Sequence, residues 1–354
     1  MKHRGVVYDV GLNFNGEGFS VEPFDPALVN YDMRTIASDM HANAVRIEGE
    51  EFYRLETAAR AAHSMGLKVF FNPWKMNEDI DATRAYFEEA AKTAETLRNE
   101  GIDMVFIAGC EYTIFNKGIF PGESFNERAM FLGSQLSGGH MPEEVPQALR
   151  EKSVALNQVL QSFVEVIRAQ FKGPLTYSAG SWEVVDWDIF DIVGIDYYRR
   201  GETAEKYVSG LERYRLGKPL AVLEVGCCAY EGAAKRGDGG FILLKGRNPD
   251  GSGVFEDDIV PTRSEEEQAD YVGTQLNLLA NANVHAVFIY VFSFPCMRSG
   301  EGARDFDMMC FSLVKYFPEH DPRSKAMPPW APKKSFYQVA EFFRSLQLQG
   351  PATS

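Results

Sequence analysis

Two glutamates stand at the ends of short apolar runs, and together they have the chemistry of a paired-carboxylate enzyme. Glu111 follows the run Met104–Gly109, and Glu224 lies within the run Leu220–Val225. Hydrolysis of a glycosidic bond needs one carboxyl group to protonate the leaving oxygen and a second to attack the sugar or activate water. Carboxyl groups that approach to about 5–5.5 Å are typical of a retaining mechanism. The sequence therefore predicts Glu111 and Glu224 as a catalytic pair.

Aromatic and polar residues end the other apolar runs, where a carbohydrate site would need ring platforms and hydroxyl partners. The indole rings of Trp74 and Trp182 are equally consistent with sugar platforms and with packing over a core. Tyr8 and Asp9 are equally consistent with the floor of the sugar subsite and with packing of the barrel. Glu48 and Glu183 are expected to be solvated charges at the rim of the site.

Two other hydrolytic chemistries lack their usual residues here. The six histidines are scattered, whereas a metal-dependent barrel hydrolase gathers histidines at strand ends. No G-x-S-x-G elbow of a serine hydrolase is present. The five cysteines show no zinc or disulfide spacing, and the adjacent Cys227 and Cys228 are expected to be small buried fillers. The sequence therefore predicts no metal site and no cofactor.

The composition limits the partners that the protein can bind. The 36 basic and 50 acidic residues give a net charge of −14, which repels polyanions and argues against nucleic acid as a partner. No apolar stretch reaches the roughly 18–20 residues that span a bilayer. Reduced thiols and the absence of an address signal give the expectation of a cytoplasmic protein. The number of subunits stays open.

Short apolar runs alternate with helix-like segments along almost the whole sequence. Near-continuous apolar runs are typical of parallel strands that are buried on both faces. A doubly wound sheet would need a glycine-rich phosphate turn after the first strand, and Val10-Gly11-Leu12-Asn13 has none. We therefore predict one α/β domain over residues 1–354, a single (β/α)8 TIM barrel. The predicted strands are Gly5–Asp9, Asn43–Glu48, Leu67–Asn72, Met104–Gly109, Leu175–Ser178, Ile192–Tyr197, Leu220–Val225 and Val284–Phe292. The predicted helices are Pro26–Met40, Glu51–Met65, Ala82–Asn99, Pro146–Phe171, Ala204–Arg215, Ser264–Asn281 and Lys334–Leu346.

Three long segments follow predicted strands 4, 7 and 8, and long loops at this end of a barrel build active sites. They are Tyr112–Glu144, Gly226–Arg263 and Ser293–Pro332. The second contains two short apolar runs around Asn248-Pro249-Asp250-Gly251, which predicts a hairpin lid over residues 226–263. Only about a dozen residues join strands 5 and 6, too few for a full helix.

Three motifs make the sequence resemble the clan A glycoside hydrolases. They are Ala42-Asn43-Ala44-Val45-Arg46 at strand 2, Gly109-Cys110-Glu111 at strand 4 and Leu223-Glu224-Val225-Gly226 at strand 7. The resemblance is weak and runs through residues 5–345. It implies a retaining barrel enzyme with Glu224 as nucleophile and Glu111 as acid/base. The sequence also looks like bacterial barrel proteins that are labelled abortive-infection proteins, a label that implies no reaction.

The resemblance assigns further roles and shows one departure. Arg46 would favour the charged form of Glu224, and Tyr197 or Tyr198 would donate a hydrogen bond to it. Cys110 stands where the clan usually has an asparagine that contacts the sugar, and a thiol is a poor hydrogen-bond donor. The predicted substrate-binding residues are Tyr8, Arg46, Asn72, Trp74, Cys110, Trp182, Tyr197, Tyr198 and Tyr290, with Phe292 as the alternative to Tyr290.

The predicted function is therefore hydrolysis of a β-linked glycoside or a short oligosaccharide. Two alternatives remain at this stage. The first is a barrel that binds a carbohydrate or another partner without turnover, in a defence role, which the loss of the usual amide at Cys110 favours. The second is a metal-assisted hydrolase or a lyase that uses the same acidic rim.

Overall fold

A computed structural model describes residues 1–14, 16, 18–136 and 144–348 of the chain. The strands in these residues are β1 (His3–Asp9), β2 (Ala44–Gly49), β3 (Lys68–Pro73), β4 (Met104–Cys110), β5 (Leu175–Ser178), β6 (Val193–Asp196), β7 (Leu220–Val225), β8 (Leu244–Arg247), β9 (Gly253–Phe255), β10 (Ala286–Ile289), β11 (Val314–Tyr316) and β12 (Trp330–Pro332). The helices are α1 (Pro26–Arg34), α2 (Phe52–Ser64), α3 (Ile80–Asn99), α4 (Tyr112–Phe115), α5 (Phe125–Gln135), α6 (Gln147–Gln170), α7 (Ala204–Ser209), α8 (Glu265–Asn281) and α9 (Lys334–Leu348).

Eight parallel strands form one sheet in the order β5-β4-β3-β2-β1-β10-β7-β6. The two end strands meet through a parallel bridge between Ala179 and Ile195. Backbone bonds also link them, since the Ala179 amide donates to the Gly194 carbonyl at 3.1 Å and the Asp196 amide donates to the Ala179 carbonyl at 2.9 Å. The sheet is therefore a nearly closed barrel, and the predicted (β/α)8 fold is confirmed.

Side chains alternate between the barrel interior and the surrounding helices, as the twofold period of a strand requires. Phe70 and Phe288 meet inside the barrel with ring centroids 4.6 Å apart. Gly5 is needed in this wall because a Cβ atom there would lie 2.1 Å from the carbonyl oxygen of Ala44. The interior apolar cluster consists of Val7, Ala44, Phe70, Val105, Ile107, Ile192, Ala221, Leu223, Ala286, Phe288 and Val291. Positions two residues further along β1, β2 and β3 therefore also face inward, at the carboxyl end of the barrel.

Several helices begin at residues whose side chains accept a backbone N–H bond. Asp79 accepts from the Ala82 amide at 2.8 Å before α3, and Ser264 accepts from the Glu267 amide at 3.2 Å before α8. Glu267 instead accepts from the amides of Gly232 and Ala234, at 2.8 and 2.9 Å. The helix start at Ser264 is thus confirmed, while Glu267 fastens α8 to the segment after β7.

Two predicted elements are shorter than expected. Helix α1 ends at Arg34 and continues as a π-helical turn over Thr35–Asp39. Helix α7 covers only Ala204–Ser209 and passes into a 3₁₀ turn over Gly210–Tyr214. The long segment after β7 contains the antiparallel pair β8–β9, and the segment after β10 contains the antiparallel pair β11–β12. None of the described helices is both long enough and apolar enough to cross a membrane.

Candidate active site

Glu224 lies at the end of β7 against the guanidinium of Arg46, which comes from β2 across the barrel. Arg46 Nη1 is 2.9 Å from Glu224 Oε1. The same nitrogen donates to the Leu223 carbonyl at 3.0 Å, and the Nε and Nη2 atoms of Arg46 both donate to Asn72 Oδ1, at 3.1 and 2.8 Å. These bonds fix the guanidinium in one orientation, and its charge stabilises the negative form of the Glu224 carboxylate.

Tyr198 supplies the second partner of Glu224, which decides between the two adjacent tyrosines. Its hydroxyl donates to Glu224 Oε2 at 2.9 Å. The Tyr197 hydroxyl donates instead to the Tyr207 carbonyl at 2.8 Å, and the two rings pack with centroids 4.7 Å apart. Tyr197 therefore points away from Glu224, because consecutive residues of an extended segment face opposite sides.

Glu111 follows β4 and caps the short helix α4 in a left-handed conformation, with φ 41° and ψ 46°. Its amide donates to the Ser178 carbonyl at 2.8 Å. Among the described residues, no cation or hydrogen-bond donor contacts its carboxyl group. Burial raises the pKa of Glu111 well above its usual range, and the carboxylates of Asp196 and Glu224 raise it further. The two glutamates therefore have opposite surroundings, since only Glu224 has a cation beside it.

Glu183 is buried and holds the segment that carries Glu111, so the expectation of a solvated rim charge is wrong. Its Oε1 atom accepts from the Thr113 amide and hydroxyl, at 3.2 and 2.7 Å. Its Oε2 atom accepts from the Tyr177 hydroxyl at 2.9 Å and from the Gly180 amide at 3.0 Å. Burial raises the pKa of Glu183 to about 7, although these hydrogen bonds oppose the rise. Four donors account for its burial, because a buried carboxyl group needs such partners.

Two further carboxyl groups surround Arg46. Glu48 Oε2 lies 3.4 Å from Arg46 Nη2, and Asp196 Oδ1 lies 3.7 Å from Arg46 Nη1. Glu48 is fully buried, so the expectation that it is a solvated rim charge is also wrong. Burial alone would lower the pKa of Arg46, but Glu224 and the other acidic groups outweigh burial and raise it well above its usual value. Burial likewise raises the pKa of both Glu48 and Asp196.

Cys110 lies between the acidic side chains of β6 and β7. Its sulfur is 3.5 Å from Glu224 Oε1 and 3.6 Å from Asp196 Oδ2. The ligand atoms of these three residues lie within 4.8 Å of one another, close enough to surround a metal ion. Arg46 already places a positive charge against two of the three, and a cation would meet electrostatic repulsion there. The thiol therefore has two carboxylates within reach, either of which can accept its single, weakly donated hydrogen.

Other predicted site residues occupy different environments. Tyr8 faces the helices outside the barrel, where its hydroxyl donates to Asp32 Oδ2 at 2.9 Å. Trp182 is buried, and its Nε1 atom donates to the Thr113 hydroxyl at 2.9 Å. Trp74 is also buried but packs beside Cys110. The order of the strands predicts that all of these residues lie near the barrel mouth. Their side chains point in different directions, however, and do not form one group.

Of the two aromatic candidates after β10, one lies near Glu224 and the other does not. The partly exposed Tyr290 is within electrostatic reach of Glu48 and Glu224. The alternative, Phe292, is buried and faces outward, against Tyr8 and Trp330. Tyr290 is therefore the aromatic residue of this strand that faces the acidic group.

Three residues at this end of the barrel escaped the sequence-based prediction. Phe311 contacts the rings of both Tyr198 and Tyr290, with centroids 6.0 and 5.8 Å away. Arg200 and Asp238 form a two-pronged ion pair with both bonds at 2.6 Å, and both residues act electrostatically on Glu111. Asp238 and Phe311 lie in long loops without a motif, which gave no signal to single them out.

Comparison with known proteins identifies the fold but no family. No protein-family model matches the chain, and no curated protein matches it. A solved GH113 beta-1,4-mannanase matches with a TM-score of 0.57 at 14% identity, covering 98% of this chain and 100% of the other. A GH113 beta-mannanase from Alicyclobacillus acidocaldarius in complex with ManMIm matches with a TM-score of 0.54 at 14% identity, covering 98% of each chain. A Bacteroides uniformis beta-glucuronidase matches with a TM-score of 0.55 at 13% identity, covering 97% of this chain and 34% of the other. At these identities the likeness shows the shared barrel fold, and the abortive-infection label finds no support among these structures.

The site therefore offers two carboxyl groups in different protonation environments on the carboxyl ends of β4 and β7. Glu224 has a guanidinium and a phenol that stabilise its negative charge. Glu111 has surroundings that favour its protonated form. Two carboxyl groups in such unequal surroundings can supply an acid and a nucleophile or base in one site.

Proposed function

We propose that the protein is a retaining glycoside hydrolase that cleaves a β-linked glycoside or short oligosaccharide. Glu224 is the nucleophile, and Glu111 is the general acid and base. The observation that carries the proposal is the unequal environment of these two glutamates. Of the two glutamates, Glu224 is the one that contacts Arg46 and Tyr198, at 2.9 Å each, while burial and acidic neighbours favour the proton on Glu111.

The reaction has two steps, and Glu111 donates a proton in the first and accepts one in the second. In the first, a Glu224 oxygen forms a bond to the anomeric carbon, the glycosidic bond breaks, and Glu111 gives its proton to the departing oxygen. In the second, Glu111 takes a proton from water, the water oxygen bonds to the anomeric carbon, and the bond to Glu224 breaks. Both residues return to their starting protonation states.

The solved structures with the same fold support a carbohydrate substrate. They include beta-mannanases and a beta-glucuronidase. The barrel also positions Glu111 and Glu224 at the carboxyl ends of its strands, where enzymes of this fold place their reacting groups. Arg46 holds Glu224 in position and places a positive charge beside its carboxylate, without itself exchanging a proton.

A panel of aryl β-glycosides of hexoses, pentoses and uronic acids tests this proposal. We expect wild-type protein to turn over at least one sugar and Glu224→Gln to lose that activity. Glu111→Gln should lose about 10²–10⁴-fold on poor leaving groups, the usual contribution of a general acid. With a good leaving group, which needs no proton in the first step, the loss should be smaller.

The exposed Glu165 on α6 provides a matched Glu→Gln control, because within the described part of the chain the hydrogen bond of its side chain is with Gln161, at 3.3 Å. Glu165→Gln should retain wild-type activity. Proton NMR of the first-formed sugar gives the stereochemistry. Release of the β-anomer first supports the two-step mechanism, and release of the α-anomer first contradicts it. Activity that survives in Glu224→Gln also contradicts the assignment.

A further inference from the structure

Unpartnered polar atoms concentrate on one side of the barrel mouth. Nine buried side-chain nitrogen and oxygen atoms in the described residues lack a hydrogen-bond partner. Five of them belong to four residues at or just beyond the ends of β1, β2 and β3: Asp9 Oδ2, both carboxyl oxygens of Glu48, Asn72 Nδ2 and Trp74 Nε1. Of these atoms, Glu48 Oε2 has an ion-pair contact with Arg46 Nη2 at 3.4 Å but no hydrogen bond. Buried polar groups in proteins nearly always have partners, so a cluster without partners requires an explanation.

These residues are neighbours in the sheet. Asp9 pairs in register with Glu48, and Glu48 pairs in register with Asn72. All three lie two residues beyond interior positions of their strands, so their side chains face the inside of the barrel. Trp74 follows β3, and its amide donates to the Gly49 carbonyl at 2.8 Å. The four side chains therefore form one polar patch, named here the β1–β3 patch.

The β1–β3 patch adjoins the catalytic pair through shared partners. Arg46 contacts Glu48 and Asn72 on one side and Glu224 on the other. Trp74 packs with Cys110, whose sulfur lies 3.5 Å from Glu224. Glu48 and Asn72 are 0% exposed, so a ligand reaches them only when a covering side chain moves.

The chemistry of the patch matches sugar hydroxyl groups. Glu48 and Asp9 offer carboxyl oxygens, while Asn72 and Trp74 offer N–H donors. A hydroxyl group both donates and accepts, so two hydroxyls on adjacent ring carbons can satisfy such a mixed set. A sugar carboxylate finds no free cation here, because Arg46 is already bonded to Asn72, Leu223 and the surrounding acidic groups.

We propose that the β1–β3 patch binds two adjacent free hydroxyl groups of the sugar that Glu224 attacks. This inference rests on the proposed hydrolase function and names its substrate class. The substrate is a neutral sugar with both hydroxyls unsubstituted. A uronic acid is rejected, because the described residues of the patch offer no free cation to pair with its carboxylate.

Deoxy analogues of the best neutral aryl β-glycoside test the patch without altering the protein. We expect two analogues, lacking hydroxyls on adjacent carbons, to lose about 10- to 100-fold in kcat/KM, because each leaves buried polar groups unpaired. Every other deoxy analogue should differ from the parent by less than about 3-fold in kcat/KM. The aryl β-uronide should be turned over at least about 100-fold more slowly than the parent.

Glu48→Gln supplies the variant, because it keeps the side-chain volume and replaces one acceptor with a donor. In Glu48→Gln, one of the two sensitive deoxy analogues should lose less than about 3-fold in kcat/KM relative to the parent substrate. In Glu165→Gln, both analogues should show the same losses as with the wild-type protein. Thermal unfolding of each variant shows whether the fold is intact. If Glu48→Gln does not fold, the wild-type deoxy series decides the inference alone.

The outcomes separate this inference from the function on which it rests. Turnover with equal penalties at all hydroxyls, or preference for the uronide or for an amino sugar, overturns the inference and leaves the hydrolase proposal standing. If no glycoside is turned over, saturation-transfer NMR with neutral methyl glycosides decides. Binding that Glu48→Gln abolishes supports the patch and overturns the hydrolase. The absence of binding, or binding that Glu48→Gln leaves unchanged, overturns the patch as well.

Discussion

Removal of one hydroxyl group beside Glu224 tests the proposed role of Tyr198. Tyr198→Phe deletes the donor that lies 2.9 Å from Glu224 Oε2 and leaves the ring against Phe311 in place. Glu224 is only 7% exposed, so water replaces the lost bond poorly. Arg46 remains on the other carboxyl oxygen at 2.9 Å. The variant therefore isolates the contribution of a single hydrogen bond to the nucleophile.

The structure also indicates the size of the effect. A hydrogen bond to a charged group contributes about 1.5–3 kcal/mol, which corresponds to about 10- to 150-fold in rate. Attack by Glu224 transfers part of its charge to the new bond, so the hydroxyl stabilises the transition state less than the free carboxylate. We therefore expect kcat/KM to fall by the lower part of the range, about 10- to 30-fold. Steady-state kinetics on the best aryl glycoside measures this loss.

The adjacent Tyr197 is the matched control for the same substitution. Its hydroxyl donates to the Tyr207 carbonyl at 2.8 Å, away from Glu224. Tyr197→Phe should lower the free energy of unfolding by about 1 kcal/mol and leave kcat/KM unchanged within about 2-fold. The reasoning is refuted if Tyr198→Phe loses less than about 3-fold in kcat/KM, or if Tyr197→Phe loses as much as Tyr198→Phe.

Three other predictions concern protons and positioning. Because the pKa of Glu111 is raised, kcat/KM should fall as the pH rises through that pKa, and Glu111→Gln should lack this alkaline limb in its pH–rate profile on an activated substrate. Glu183→Gln replaces an acceptor of four hydrogen bonds, so urea unfolding should show a loss of about 1–3 kcal/mol, and kcat should fall because the segment behind Glu111 loosens. Burial raises the pKa of Asp32 to about 8 against the hydrogen bonds from Tyr8 and Trp330. The folded state then holds a proton that the unfolded chain releases near pH 4, so stability should decrease between about pH 4 and pH 8 by up to about 5 kcal/mol. Asp32→Asn should flatten that dependence in urea titrations at pH 5 and pH 9, and an unchanged slope would contradict the assignment.

The barrel itself follows from the sequence, because eight apolar runs that alternate with helix-like segments have few alternatives. Parallel strands that are buried on both faces must be apolar throughout, and this pattern marks all eight barrel strands. Element ends are less well determined. The predicted strand Val284–Phe292 is in fact Ala286–Ile289, although the amides of Tyr290 and Phe292 still donate to the carbonyls of Val225 and Val7, at 2.9 and 2.8 Å.

The sequence predicts those site residues for which the order of the strands is sufficient. The prediction fails for residues whose role depends on the direction of the side chain. Glu111, Glu224 and Arg46 occupy strand ends and face the same mouth. Tyr8 lies in the same strand as Asp9 but faces the opposite side, and its hydroxyl bonds Asp32. Glu183 was expected to be solvated because it is charged, yet four donors from distant segments make its burial favourable.

The contributions of the long loops lie beyond sequence patterns. Phe311 reaches Tyr198 and Tyr290 from the segment after β10, more than a hundred residues away from Tyr198 along the chain. Asp238 reaches Arg200 from a glycine-rich stretch without a motif. Such contacts depend on loop conformation, and neither apolar period nor residue type specifies that conformation.

The opposite directions of the two tyrosines after β6 affect how this protein can be compared with others. The Tyr198 hydroxyl donates to Glu224, whereas the hydroxyl of the preceding residue, Tyr197, donates to the Tyr207 carbonyl. The pairing of β6 with β7 shifts between Ile195 and Asp196, so that Asp196 pairs with Glu224 itself. At 14% identity, an alignment with a one-residue error here would assign the partner of Glu224 to a tyrosine that packs among helices. Residue roles at this strand should therefore be transferred by comparing side-chain directions in superposed structures and not by sequence alignment alone.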